Sequence, residues 1–437
     1  PLRRQRQMCI RDSQRTINLN KHMTEGMRFR NKLAYDLIRG IPQMVGLRTQ
    51  FVHLYVKDNT EEPGGKFEDY GIYTQVEQLN KTALKSHGLD SNGQLYKINS
   101  FEFYRYEDII KKEDDAGYDK TAFEKMLEIK GDSDHTKLID MLTDLNDYSI
   151  GIEDVLKEHF DEENIVYWMA FQILMGNVDT QNRNVYLYSP LNSDIWYFIA
   201  WDNDGCLMRP EYELRNFSDQ NSWEKGISNY WGNILFQRCL KSRSFREKLN
   251  DAILDLREYL NKDMLTSKIE SYKNVLKPYL YLMPDAEYEP LTSEQYDQIA
   301  ASLPDEIEKN YQLYLESLET PMPFYIGVPT IDGDKLKFNW DVSYDLDAED
   351  ITYSVEVAGD YLFRDVIYQN TTLTVPEAEM DLPKAGQYFV RVRATNTSGK
   401  TQDAFDYYVT DEGKYYGMRC FYITEDSTVE EDDYEEG

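Results

Sequence analysis

Apolar residues recur every fourth position from Phe29 through Leu33 and Leu37 to Ile41. That spacing marks one face of a helix, and Gly40 and Pro42 predict where it stops. FVHLYV (51–56) and YGIYTQVE (70–77) read as strands joined across a turn containing Gly and Pro, with GQLYKI (93–98) as a third strand. These elements predict a small mixed α+β unit. Residues 105–160 are charged and helix-prone, broken at DDAGYDK and KGDSDH. Asp161 is a candidate N-cap for ENIVYWMAFQILM (163–175), which is apolar on nearly every side and predicts a helix buried within a core. The strands NVYLYS and IWYFIAW follow, joined by PLNSD as a hairpin. Three amphipathic helical runs, FREKLNDAILDLREYL, LTSKIESYKNVL and SLPDEIEKNYQLYLESL, lead to the proline-rich ETPMPFYIGVP, a boundary signal. Beyond it the period becomes two, in LKFNW, YSVEV and YFVRVRA, which predicts a small β-sandwich. The closing EDSTVEEDDYEEG reads as an acidic tail without a fixed fold.

Composition narrows this picture. The 437 residues are long enough for two or three domains, with one large unit and one small one expected. With 48 Lys and Arg against 79 Asp and Glu, the formal charge of -31 makes nucleic acid an unfavourable partner. A hydrophobic content of 41%, with 35 tyrosines, supplies ample material for burial. No stretch approaches the roughly 18 to 20 apolar residues of a membrane-spanning helix. Cys9, Cys206, Cys239 and Cys420 show neither metal-ligand spacing nor a disulfide framework. The basic, aperiodic PLRRQRQMCIRDS (1–13) resembles translated adapter sequence from an assembled fragment and is set aside. The expectation is therefore a chain truncated at its N-terminus.

Chemistry concentrates in GNVDTQNRNVYLYSPLNSDIWYFIAWDNDG (176–205). A hairpin turning between Ser189 and Asp194 would carry Asp202 across to about position 181. Asp179, Asn184 and Asp202 would then converge beside the end of the buried helix, as oxygen donors able to hold a hard divalent cation. Asn and Asp also start turns routinely, which is the plainer explanation for each residue taken singly. For Asp202 to Gly205 the plainer reading is a solvated turn or a calcium loop, of which the EF-hand form fails because its sixth position would be Leu207 rather than Gly. The five histidines are dispersed and read as surface or satisfied core residues, and no Walker loop, nucleophile elbow or dinucleotide fingerprint is present.

The interval from Asp179 to Asn184, followed by a hairpin and then Asp202, is the layout of protein-kinase active sites. GNVDTQNRNVYLY with WYFIAWDNDG, preceded by RFRNKLAYDL, LRTQFVHLYV, YGIYTQVEQ and GQLYKI, resembles the CotH kinase family of atypical protein kinases over roughly residues 14–320. The resemblance implies an α+β, kinase-like two-lobed domain with a truncated N-lobe. It implies Asp179 as the base or hydroxyl-orienting acid, and Asn184 and Asp202 as metal ligands assisted by Asp204. Glu77 and Lys97 would lie near the nucleotide. The implied cofactors are ATP with magnesium or manganese, and the implied partner is a protein carrying a Ser or Thr acceptor. Two departures stand out: Gln181 replaces a His common in the family, and DNDGCL lacks the aromatic-Gly pair of the commoner ending. Relatives also carry a phosphate-facing loop and a nucleotide-pairing Lys upstream of RFRNKLAYDL. Residues 321–418 resemble a fibronectin type III or immunoglobulin-like sandwich, with Trp340 in an early strand and YFVRVRATNTSG as a late strand and turn; 419–437 is the acidic tail. Such modules imply an extracellular or cell-surface bacterial setting. Two other readings stay open: a non-catalytic surface binding protein on a kinase-like scaffold, and a two-carboxylate hydrolase.

Overall fold

The structure is a computed structural model that describes residues 16–58, 60, 65–215, 223–410 and 413–431. Residues 1–13 with Cys9, and the acidic end from 432, lie outside the described residues. The chain divides into two compact units, one of Pro1–Arg215 with Asn233–Tyr311, the other of Asn216–Gly232 with Gln312–Gly437. Among the described residues no helix is long and apolar enough to cross a membrane.

The first unit is mixed α/β. Strands β1 (Ile17–Asn20), β2 (Thr49–Val56) and β3 (Glu68–Glu77) form an antiparallel sheet in the order β1-β3-β2, and helix α1 (Arg30–Ile38) lies between β1 and β2 in the chain. A second antiparallel sheet runs β5-β4-β6-β7, built from β4 (Gln94–Ile98), β5 (Leu127–Ile129), β6 (Val185–Ser189) and β7 (Tyr197–Ala200). The predicted hairpin is β6 and β7. Its register differs from expectation: Val185 pairs with Ala200 and Tyr188 with Tyr197, which carries Asp202 level with position 183 instead of 181. The turn explains the shift. Pro190–Ser193 closes on itself (Ser193 N to Pro190 O, 3.3 Å), and the Lys137 ammonium ties it down through Pro190 O (2.6 Å) and Ser193 O (2.7 Å). The turn centre therefore moves along the chain. A displacement of two residues keeps each side chain on its expected face.

The apolar run after Asp161 forms α2 (Glu162–Leu174), and the Asp161 side chain caps it by accepting from Asn164 N (2.9 Å). Trp168 is fully buried and stacks on Phe236 at 5.6 Å. One polar residue near the start of this helix has a specific task. Asn164 Oδ1 accepts from Phe198 N (2.7 Å) while its Nδ2 donates to Phe198 O (3.2 Å), so the side chain behaves as a strand neighbour and fastens β7 to α2. That contact fixes the distance between the helix and the hairpin, whose ends carry the polar clusters.

The second unit contains two larger antiparallel sheets. One orders β8 (Thr330–Asp332), β9 (Lys335–Asn339) and β12 (Glu377–Asp381) as β12-β9-β8. The other runs β11-β10-β13-β17-β18, with β14 (Thr401–Asp403) also on β13; its strands are β10 (Ile351–Ala358), β11 (Val366–Leu373), β13 (Gly386–Asn396), β17 (Met418–Ile423) and β18 (Val429–Glu431). A small hairpin, β15 (Tyr407–Thr410) with β16 (Gly413–Tyr416), stands apart. The core takes alternate residues from both sheets: Leu336 and Phe338, then Val355, Val357, Val390, Val392, Phe421 and Ile423. Trp340 lies one residue past β9, buried, edge-on to Tyr353 at 5.5 Å. The stretch expected to begin the acidic tail belongs to this sheet, because MRCFYI alternates Phe421 and Ile423 into the core. Segment 223–232 joins the unit through two tryptophans, Trp223 against Phe405 (5.1 Å) and Trp231 stacked on Tyr344 (5.4 Å).

Replacing Asn164 by Ala leaves both Phe198 peptide groups buried without their partner. Asn164→Ala is expected to lower stability by about 2–3 kcal/mol, read as an earlier urea midpoint; a midpoint equal to the parent's would show that the clamp contributes nothing.

Candidate active site

The site forms where two loops leave α2 and β7. Helix α2 ends at Leu174, and two residues on the chain turns at Gly176, whose φ of +59 suits glycine and where a Cβ would meet Asn310 Nδ2 at 2.7 Å. The chain then turns through Asn177 to Asp179. The second loop begins at Asp202 directly after β7 and is pinned by α1: Tyr35 OH accepts from Asp202 N (3.1 Å), Asn31 Oδ1 accepts from Asn203 N (3.1 Å), and Arg30 Nε donates to Leu207 O (3.3 Å). Leu207 N donates to Met175 O (2.7 Å), joining this loop to the end of α2. The loops touch. A Cβ on Gly205 would fall 2.6 Å from Asn177 Oδ1 and 3.9 Å from the Asp179 Cβ, so any larger residue there would have to displace the Asn177 side chain.

Beneath them runs a chain of buried amides. Asn177 Nδ2 donates to Gln172 Oε1 (3.0 Å), Gln172 Nε2 donates to Asn203 Oδ1 (3.3 Å), and Asn203 N reaches Asn31. Exposure is 2% for Asn177, 0% for Gln172 and Asn203, and 1% for Asn31. Polar groups so deeply buried keep their positions through one another, since each unmade bond costs its desolvation.

Above this base, Asn184 Nδ2 donates to both Asp179 Oδ2 (2.8 Å) and Asp179 O (3.0 Å), and Arg183 Nε lies 3.3 Å from Asp179 Oδ1. Asp179 remains half exposed, open to an incoming group. Asn184 and Asp202 both adopt left-handed backbone, at φ +58 and +49, which Asn and Asp tolerate better than most residues. Trp201 N donates to Asn184 O (3.1 Å), closing the hairpin between them. Burial, followed by the charge of Asp204 and then that of Asp179, pushes the Asp202 carboxyl up to about 6, against the opposing charges of His22 and Lys97. Lys97 sits on β4 opposite Tyr186, half buried, with its ammonium near enough to act on Asp202. Cys206, the next residue after Gly205, is fully buried, and burial drives its thiol far above the ordinary value.

The structure thus brings Asp179, Asn184, Asp202, Asp204 and Lys97 into one neighbourhood. Glu77 has partners of its own. Its carboxylate accepts from Arg48 N (3.1 Å), Arg48 Nε (3.0 Å), His87 Nε2 (2.8 Å) and Ser86 Oγ (3.4 Å). Although burial would raise it, these bonds from His87 and Arg48 hold it at about 2. One histidine, among those read from the sequence as surface or satisfied core residues, lies beside these acids. His22 is buried with Nδ1 3.5 Å from Asp204 Oδ2, and it faces the acidic loop. Burial alone would depress its pKa, but contact with Asp204 and the charges of Glu25 and Asp202 raise it.

The candidate ligands Asn184, Asp202 and Asp204 offer oxygen, from one amide and two carboxylates, which suits hard cations such as magnesium or manganese. A buried carboxyl raised by a neighbouring acid is also a group that a cation would relieve. Among the described residues, carboxylate and imidazole ligand atoms gather in threes within 4.8 Å only at Asp144, Glu158 and His159, where the ion pair of His159 with Asp144 (2.8 Å) accounts for the closeness. The Asp179, Asp202 and Asp204 carboxylates stand farther apart than that.

A model of the family described as CotH kinase protein matches residues 3–314. This chain belongs to the CotH kinase family. The chain is 22% identical to the inner spore coat protein H of Bacillus subtilis (strain 168) over 288 residues, 65% of this chain and 73% of that relative. Among solved structures, the Helicobacter pylori proinflammatory kinase CtkA aligns at 12% identity and a TM-score of 0.33, over 69% of this chain and 90% of that one.

Sequence reasoning missed His22, Asn31, Gln172 and Asn203. A single polar Gln172 inside an otherwise apolar helix turn was the one available signal. For Glu77 the charge bookkeeping gives a test. Glu77→Gln is expected to cost about 2 kcal/mol near neutral pH. Because its folded pKa of about 2 lies below the ordinary 4.5, that stability is present above pH 4.5 and is lost as pH falls toward 2. Urea midpoints of parent and variant should therefore converge on acidification, and a gap independent of pH would mean that packing, not charge, is responsible.

Proposed function

We propose that this member of the CotH kinase family is a metal-dependent phosphotransferase, moving the terminal phosphoryl group of ATP to a Ser or Thr hydroxyl of a protein acceptor. The observation that carries the reading is the meeting of two loops at Gly205, which sets Asp179 and Asn184 beside Asp202 and Asp204. Asp179 is oriented by Asn184 and Arg183 and open to solvent, and it would align the acceptor hydroxyl and take its proton. The bond between the terminal phosphorus and the leaving nucleoside diphosphate breaks as the bond to the acceptor oxygen forms. Lys97 would offset phosphate charge. Asn184, Asp202 and Asp204 are the residues that would hold magnesium or manganese. When bound, such an ion neutralises charge on the nucleotide phosphates.

The name of the Bacillus relative supports a spore-coat or surface setting for this chain. For the second unit we propose a fibronectin type III-like module. Its support is the pairing of a β12-β9-β8 sheet with a sheet in which β10 and β13 are central, sharing one core.

The test is radiolabelled phosphoryl transfer and calorimetric ATP binding with the purified chain and single variants of unchanged melting temperature. Asp179→Asn is expected to keep ATP binding and lose about 10²- to 10⁴-fold in transfer. Asp202→Ala should abolish the magnesium dependence of ATP binding. Wild-type transfer and binding in both variants would sink the assignment, and ATP binding without transfer in the parent would favour a binding protein.

A further inference from the structure

One residue at the acidic loop is unused by the mechanism above. His22 lies between β1 and α1, its side chain 5% exposed and its backbone at φ +51. Few residues adopt that left-handed conformation, and histidine is among those found in it more often than most. Its Nδ1 stands 3.5 Å from Asp204 Oδ2, and its Nε2 stands 3.4 Å from Asn31 Nδ2. An amide nitrogen can only donate, so Nε2 is the accepting nitrogen and Nδ1 carries the hydrogen that faces Asp204. The other end of the Asn31 amide accepts from Asn203 N (3.1 Å). A single asparagine therefore fixes both the imidazole and the loop that the imidazole faces.

We propose that His22 is a positioning residue: it holds one carboxylate oxygen of Asp204 so that the other is presented, together with Asp202 and Asn184, to a divalent cation. The inference rests on the phosphotransfer reading, since that reading supplies the cation. The neutral imidazole suffices, because with Nε2 accepting from Asn31 its one ring hydrogen sits on Nδ1. Asp204 is about one-third exposed and follows a buried acid whose charge repels it, so without a partner its carboxylate would turn toward water. Donors of this kind set the orientation of ligating groups in many metal sites. The remaining histidines are engaged elsewhere: His53 with Asp69, His87 with Glu77, His135 with Tyr96 and His159 with Asp144.

The experiment titrates manganese into the purified chain with ATP, reading free Mn²⁺ by its electron paramagnetic resonance signal. His22→Ala is expected to weaken Mn²⁺ binding about 10- to 100-fold. His22→Asn should recover most of that loss, because Asn accepts left-handed backbone and places an amide hydrogen near the position of Nδ1. Asp204→Ala should match His22→Ala, and the double variant should be no worse than either. Melting temperatures identify a variant that has merely unfolded, and His22→Asn then decides. Parent-like Mn²⁺ binding in His22→Ala, no recovery in His22→Asn, or losses that multiply in the double variant would each overturn the inference while leaving the phosphotransfer reading intact. A parent chain that binds no Mn²⁺ with ATP would remove that reading, and the inference with it.

Discussion

Everything at the candidate site hangs on the amide chain that runs from Asn177 through Gln172 and Asn203 to Asn31. These side chains link three separate pieces of backbone: the loop after α2, the loop after β7, and α1. None of them carries charge, so the link does not vary with pH or salt. Buried polar contacts of this sort add little net stability when satisfied, but each is expensive to break, so they select one arrangement over its neighbours. A core of leucines would pack α2 as well without fixing where Asp179 and Asp202 stand relative to each other.

Local backbone serves the same end. Asn184 and Asp202 flank the open end of the hairpin, and both occupy left-handed conformations that most residues avoid. The strain is held by specific bonds, from Trp201 N to Asn184 O and from Asp202 N to Tyr35 OH. Strained residues in such a setting point their side chains where a regular strand would not. Here both belong to the oxygen cluster, while Gly205 allows the loops to close beside them.

Much of the local structure was legible in the sequence, because hydrophobic period reports directly on which face is buried. Helix α2, strands β2 to β4, the hairpin and the alternating strands of the second unit all follow that rule. The register of the hairpin did not, since it depends on how Lys137 gathers the Pro190–Ser193 turn, a contact from a distant helix. Asp179, Asn184 and Asp202 stand out through their spacing together with the family resemblance of the segments around them. Their supports do not: Asn31 meets Asn203 across 172 residues of sequence, and His22 reaches Asp204 only once the fold is complete. Glu77, singled out through resemblance, carries partners that its local sequence does not announce, with its carboxylate held by Arg48 and His87. The MRCFYI strand was passed over because the acidic run following it outweighed its short alternation.

Cys206 sits immediately beside the acidic loop, sealed from solvent, with its thiol pushed so far up that thiolate is scarce. Oxidants, disulfides and electrophiles all react through the thiolate. The cysteine next to the candidate centre is therefore chemically quiet, kept by its burial from the reactions open to an exposed thiol.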